Sequence, residues 1–253
     1  MNDKFFGNSL DLFKYDILFY LLKATEKLFY YVPMLTHPEI KNIDPKYLVY
    51  EIGVNNKTLT TLLKNAYIAE SVFEVNGIST YLKENNVKYR MVTNDCFMNM
   101  DLLKIESKYF NDKDRVEYFK TVLLDFNKVK KDKILFIDPD VGLDKNISRR
   151  VRSMRGKYLL KEELKIFSKV LKERDCLCYF QHLGNNKYGV HQRVEDLKKE
   201  FGPYVLLIGY KRILCSIIFV FNEGSLYEQY KILLDKYIYQ YKNLKTFNKL
   251  FLI

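Results

Sequence analysis

The stretch LFIDPDVGL, residues 135–143, carries the clearest fold signal in this sequence of 253 residues. Its apolar residues run directly into Asp138, Pro139 and Asp140, and Gly142 follows two residues later. A short apolar run that is stopped by a proline predicts a buried strand. Because Pro139 ends the strand, we expect the two carboxylates to splay at its tip.

Strands and helices are predicted to alternate on both sides of this stretch. Helices are expected over residues 9–24, 57–75, 112–129, 157–174, 190–201 and 225–241, with Ser9 as the first N-cap. Strands are expected over residues 28–35, 46–52, 88–93, 102–107, 133–140, 176–182, 204–210 and 215–222. The last two strands are only four residues apart, so they are predicted to form an antiparallel hairpin.

This alternation predicts a single α/β domain over residues 1–253. The expected fold class is Rossmann-like, with a doubly wound, mostly parallel sheet that ends in the antiparallel hairpin and has helices on both faces. Ligands of such sheets bind at the carboxyl ends of the strands. Four polar residues are predicted at such ends: Asp138, Asp140, Gln181 and His182. Asp138, Asp140 and His182 are therefore the catalytic candidates, and the alternative roles are turn capping and structural hydrogen bonding.

The chain is basic, with a formal net charge of +11. Many lysines are spread along the helices, where they can simply solvate the surface. A tract directly downstream of the acidic strand tip is different, because five cations fall within nine residues: Arg149, Arg150, Arg152, Arg155 and Lys157. We expect this tract to contact the phosphates of a nucleic acid, and a solvated loop is the alternative.

The composition also bears on the surroundings of the chain. No stretch of about 18 uncharged apolar residues is present, so no membrane span or membrane partner is expected. Cys176 and Cys178 lie two apart in an apolar run, which favours a buried reduced pair over a disulfide. Together with an N-terminal segment that lacks a signal-peptide core, these features predict a cytoplasmic protein.

Two motifs resemble those of known methyltransferases. The β-α-β-α-β-β order with a final hairpin resembles the second half of class I S-adenosylmethionine-dependent methyltransferases, and FIDPD lies where that family carries [DN]PP[YF]. The segment FFGNSLDLFKYDIL is similar to the GN-x-x-D-x-x-K opening of the 23S rRNA adenine-N6 methyltransferases, matched here by Gly7, Asn8, Asp11 and Lys14. The resemblance implies that S-adenosylmethionine binds near Asn8, Lys14, Thr36 and Asp138. DPDVGL and the later YFQH also resemble the DP-D-x-G-L…YQH pattern of an uncharacterised family of bacterial and phage proteins.

A second set of hypotheses involves a metal or no catalysis at all. DPDVG resembles the acidic DxD motif of toprim nucleases, which needs an earlier glutamate that Glu51 can supply. Mg²⁺ held by Asp138, Asp140 and Glu51 would then support phosphodiester cleavage. Glu162 or Glu163 is the alternative third carboxylate. A non-catalytic protein that binds a nucleotide or nucleic acid on a methyltransferase-like scaffold remains the third hypothesis.

Overall fold

A computed structural model describes residues 7–34, 50–53, 55–68, 75–91, 110, 115–144, 152–183, 188–244 and 247–253. The α-helices are α1 Ser9–Thr25, α2 Lys57–Ile68, α3 Val75–Glu84, α4 Arg115–Lys128, α5 Lys161–Val170, α6 Tyr188–Phe201 and α7 Gly224–Tyr239. The strands are β1 Leu28–Pro33, β2 Tyr89–Met91, β3 Lys133–Asp138, β4 Gly142–Leu143, β5 Tyr158–Leu159, β6 Cys176–His182, β7 Val205–Tyr210, β8 Cys215–Val220 and β9 Leu250–Leu252. Two 3₁₀ turns cover Arg152–Lys157 and Phe247–Lys249.

Within the described ranges, the main sheet has seven strands in the order β2-β1-β3-β6-β8-β7-β9. Strands β2, β1, β3 and β6 are parallel, whereas β8 is antiparallel to both β6 and β7. The predicted Rossmann-like class and the final β7–β8 hairpin are therefore confirmed. Strands β4 and β5 form a separate parallel pair beside the strand tips.

Helices cover both faces of the sheet, and each face has its own hydrophobic cluster. Helices α1, α2, α3 and α7 pack on one face, while α4, α5 and α6 pack on the other. Every residue of β3 is buried, with Ile134 and Phe136 in the first cluster and Leu135 and Ile137 in the second. A strand buried on both faces has no polar alternation, which explains the continuous apolar run before Asp138.

The sheet contains a topological switch point at β1. The chain passes from β1 to its neighbour β2 on one side and then to β3 on the other side. Pro33, the last residue of β1, pairs with Asp138, the last residue of β3, and the backbone N–H of Met34 donates to the Asp138 carbonyl at 3.2 Å. Asp138 therefore lies at the edge and between the two strands where open α/β sheets bind ligands.

Several element boundaries differ from the sequence prediction. The helix expected over 57–75 ends at Ile68, and a separate α3 begins at Val75. The helix expected over 157–174 is preceded by β5 and runs only from Lys161 to Val170. Strand β9 was not predicted, since a three-residue segment carries little periodicity of its own. The strand expected over 102–107 and most of that over 46–52 lie outside the described residues.

Strand β9 docks through the ring of Phe251, which lies against Gly209 of β7. A Cβ atom on Gly209 would be 2.3 Å from the Phe251 ring. We expect Gly209→Ala to lower the free energy of unfolding by about 1–3 kcal/mol, because overpacking displaces the edge strand. Urea unfolding and amide hydrogen exchange at β9 measure this effect. In a Phe251→Ala background the same substitution should be neutral, and an equal loss in both backgrounds would contradict the packing described.

Candidate functional site

Helix α1 delivers the polar residues of the N-terminal motif to the sheet. The N-cap is Asn8 and not Ser9, since the Asn8 side chain accepts from the backbone N–H groups of Leu10 at 2.8 Å and Asp11 at 3.3 Å. The backbone N–H of Gly7 donates to Asp11 Oδ2 at 2.8 Å. Asn8, predicted as a cofactor ligand, thus has a capping role that fixes the start of the helix.

Gly7 is required where the chain enters this helix. Its φ is +91°, and a Cβ atom would lie 2.2 Å from the Leu63 carbonyl oxygen in α2. Such a close backbone approach excludes every residue that has a side chain. The glycine of the motif therefore sets the distance between the start of α1 and α2.

Lys14 and Asp138 form a buried ion pair across 124 residues of sequence. Lys14 Nζ lies 2.8 Å from Asp138 Oδ2 and 3.1 Å from Oδ1, and it also lies 2.7 Å from Asp11 Oδ1. The Tyr31 hydroxyl of β1 donates to Asp138 Oδ2 at 3.0 Å, and the Tyr15 hydroxyl lies 3.0 Å from that of Tyr31. We call Asp11, Lys14, Tyr15, Tyr31 and Asp138 the strand-tip cluster.

The charges of this cluster are set by burial and by their proximity. Burial lowers the pKa of Lys14, but Asp11 and Asp138 more than offset this and raise it above its usual value. Burial raises the pKa of Asp11 and, with the charge of Asp138 added, that of Tyr31. Lys14 is therefore an ammonium at neutral pH, and Tyr31 is a neutral hydroxyl that donates to the carboxylate.

His182 lies on the same face of the sheet as the strand-tip cluster. The Phe180 ring contacts both groups: its centroid is 4.9 Å from Lys14 Nζ and 4.9 Å from the His182 ring, which is edge-on. Burial lowers the pKa of His182 to about 4, against the raising effect of Asp140 and Asp138. The imidazole is therefore neutral at pH 7, and the structure brings it to the same edge as the two aspartates.

Gln181 holds the loop that follows Asp140. Its Oε1 accepts from the Leu143 N–H at 2.9 Å, and its Nε2 donates to the His182 carbonyl at 2.8 Å. Gly142 has a φ of +123°, and a Cβ atom there would lie 2.5 Å from the Gln181 amide. The glycine two residues after Asp140 is thus explained by the close approach of this amide.

The predicted site of three carboxylates is not formed. Glu51 accepts from Tyr210 at 3.1 Å and from Lys249 at 3.1 Å, and it also pairs with Arg212. These partners belong to β7, the turn after it and the segment before β9, and they occupy the carboxylate. In the part of the chain that the structure describes, no group of three or more acidic, histidine or cysteine side chains is placed to hold a metal.

The alternative third carboxylates also have other positions. Glu163 forms a buried bidentate pair with Arg115 Nη1, at 2.8 and 3.0 Å, and accepts from the Leu160 N–H at 2.8 Å. Burial raises the pKa of Glu163 to about 7, although the charge of Arg115 lowers it. Glu162 is exposed on α5. Neither residue joins Asp138 and Asp140 in a group of metal-ligating side chains.

The basic tract is described only from its third cation onward. Arg149, Arg150 and the cofactor candidate Thr36 lie outside the described residues, while Arg152–Lys157 forms a 3₁₀ turn. Arg115 Nη2 anchors this turn by donating to the carbonyls of Arg155 at 2.9 Å and Tyr158 at 2.7 Å. Arg155 and Lys157 are partly buried. The tract is thus attached to the body of the protein, and its contact with nucleic acid stays a prediction.

The comparisons with known proteins provide no assignment. No protein-family model matches the chain, and no curated protein matches it at a significant level. In the described ranges, none of the helices is both long and apolar enough to cross a lipid bilayer.

The two tyrosines of the strand-tip cluster, Tyr15 and Tyr31, were not predicted as site residues. For Tyr31 a signal was present in FYYVP, because β1 and β3 were both predicted as buried strands. Tyr31 pairs with Phe136, and Asp138 follows Phe136 by two residues, so the three side chains share one face. What the sequence alone lacked was the register between β1 and β3.

The low pKa of His182 predicts a dependence of stability on pH. Its folded-state pKa lies below the unfolded value of 6.5, so the unfolded chain binds more protons between about pH 6.5 and 4. Stability should therefore fall as the pH decreases through this window, by no more than about 3 kcal/mol for a partly exposed ring. In His182→Gln this contribution should disappear. Urea unfolding of both proteins at several pH values measures this contribution. If the free energy of unfolding changed with pH in the same way in both proteins, the lowered pKa of His182 would be contradicted.

Proposed function

We propose that this protein is a divergent S-adenosylmethionine-dependent methyltransferase that acts on nucleic acid. The observation that carries the proposal is the contact between Lys14 and Asp138, at 2.8 Å. These residues belong to the two separate motifs that resemble methyltransferase motifs. Two segments 124 residues apart have no local reason to meet, so their contact at a ligand-binding edge supports a shared site.

The fold supports the same location. The parallel strands are followed by an antiparallel hairpin, as in the β-α-β-α-β-β order that resembles class I methyltransferases. Asp138 lies between the ends of β1 and β3, from which the chain continues toward opposite sides of the sheet, and this is the usual crevice for a nucleotide-like ligand. The sequence after β1, MLTHPEI, lacks the glycine-rich turn of this class of methyltransferases, so the chain would be a divergent member.

The side chains at this edge fit a ligand with amino and hydroxyl groups. S-adenosylmethionine would supply an electrophilic methyl group when bound. Asp138 is a buried acceptor whose oxygens are held in place by Lys14 and Tyr31 at the edge where the ligand would bind. His182 is neutral at pH 7 and can accept a hydrogen bond from an attacking amino group.

The charge of the chain supports nucleic acid as the substrate. The net charge is +11. The tract from Arg149 to Lys157, which is predicted to contact phosphates, follows the strand tip in the sequence. Because β4 and β5 connect the tip to this tract, a bound polyanion would lie near the cluster. Phosphate contacts position a substrate without specifying its sequence, so they do not identify the target base.

A matched pair of variants tests the proposal. Lys133 and Asp175 form another buried ion pair, at 3.3 Å, at the opposite end of β3, and it is as fully buried as the pair of Lys14 and Asp138. Removing the cation from either pair should cost about 3–5 kcal/mol of stability. We expect calorimetry to detect S-adenosylmethionine binding to the wild type and to Lys133→Met. Binding to Lys14→Met should be at least about tenfold weaker, since this lysine fixes the acceptor.

Each measurement is made below the melting temperature of both variants, which circular dichroism establishes. Incubation with a methyl-labelled cofactor and pools of RNA or DNA then tests transfer. If calorimetry detects no binding of S-adenosylmethionine or its demethylated product to the wild type at millimolar concentration, the proposal is contradicted. Binding without transfer to any nucleic acid would instead support the non-catalytic binding protein.

A further inference from the structure

A cavity of about 370 Å³ lies on the other face of the sheet from Lys14. It is bordered by Leu143 and Asp144 after the strand-tip loop, by Lys161 at the start of α5, and by Arg193, Asp196, Lys199 and Glu200 of α6. Its volume is at the lower end of the range for small-molecule sites. The location beside β4 places it near the same edge of the sheet as Asp138.

Arg193, which borders this cavity, and Tyr179, which lies beside Arg193, each carry a buried donor that lacks an acceptor. In the described part of the chain, Arg193 Nη1 and the Tyr179 hydroxyl are both inaccessible and have no hydrogen-bond partner. Tyr179 is fully buried in β6, and burial raises the pKa of its hydroxyl while the nearby Arg193 charge lowers that pKa in part. Buried donors of this kind are rare in proteins, and each one costs stability unless water or a ligand satisfies it.

The acidic side chains of α6 do not satisfy Arg193. Glu200 pairs with Lys161 at 3.3 Å and with Lys165, and Asp196 accepts from Gln192 at 2.9 Å. No ion pair of Arg193 with a carboxylate is present among the residues described. A guanidinium remains charged even when burial lowers its pKa. The charge of Arg193 therefore needs a partner other than the carboxylates that the structure describes.

We propose that this cavity binds a phosphate group, with Arg193 and Tyr179 as its buried donors and Lys161 and Lys199 at its rim. A planar guanidinium presents N–H donors that match a phosphate or carboxylate oxygen pair. The neighbouring tyrosine hydroxyl supplies a further donor. The phosphate belongs either to a small phosphomonoester or to a nucleic-acid backbone. The site does not depend on the proposed methyl transfer, since it lies on the opposite face of the sheet.

Thermal unfolding with inorganic phosphate tests the site. Phosphate that binds the folded state should raise the melting temperature by mass action, relative to chloride at matched ionic strength. Arg193→Met keeps the apolar stem and removes the donors, and it should weaken phosphate binding by at least about tenfold. Tyr179→Phe should weaken it by a smaller factor without loss of stability, because it removes a hydroxyl that has no partner. Arg174→Met, at an exposed arginine, is the control and should respond like the wild type.

The source of the phosphate is distinguished by a short oligonucleotide with and without a 5′-phosphate. If the phosphorylated form raises the melting temperature more, the ligand is a phosphomonoester. If both forms raise it equally, the ligand is the nucleic-acid backbone. Either result supports the site when Arg193→Met abolishes the rise. No response of the wild type to millimolar phosphate would overturn the proposal. An equal response in wild type and Arg193→Met would do the same, and buried water would then satisfy the two donors.

Discussion

The buried contact between Lys14 and Asp138 is the constraint on which the carboxyl edge of this sheet depends. Two charges removed from water are costly, and their attraction repays that cost only with good geometry and further hydrogen bonds. Asp138 gains these bonds from Lys14 and Tyr31, while Lys14 is also held by Asp11. The arrangement therefore fixes α1 against the tips of β1 and β3, because any other position would leave an uncompensated buried charge.

The N-terminal motif has a physical role at each of its four positions. Gly7 permits a close approach to α2, Asn8 caps α1, Asp11 accepts from Gly7 and pairs with Lys14, and Lys14 reaches Asp138. A motif that served only to begin a helix would not need the lysine. Its extension to the tip of β3 links the motif to a ligand-binding edge and is the basis of the functional proposal.

The fold was predictable to the extent that local patterns decide it. The continuous apolar runs of β3, β6 and β7 and the four-residue turn before β8 were sufficient for a mostly parallel sheet with a final hairpin. Strand β9 was not predictable, because its three residues pair with β7 only in the tertiary structure.

The site was predictable in part, since strand ends are visible in a sequence but lateral neighbours are not. Glu51 was wrongly grouped with the aspartates for this reason, and the N-cap was misplaced by one residue because serine and asparagine cap helices equally well.

The central claim is that the strand-tip cluster is the floor of a cofactor site. A crystal structure of the protein grown with S-adenosylhomocysteine tests this most directly. Our account predicts that the ligand lies at the carboxyl ends of β1 and β3, with an amino or hydroxyl group within hydrogen-bond distance of Asp138 or His182. A ligand bound only in the cavity beside Arg193, or at any site away from this edge, would contradict it.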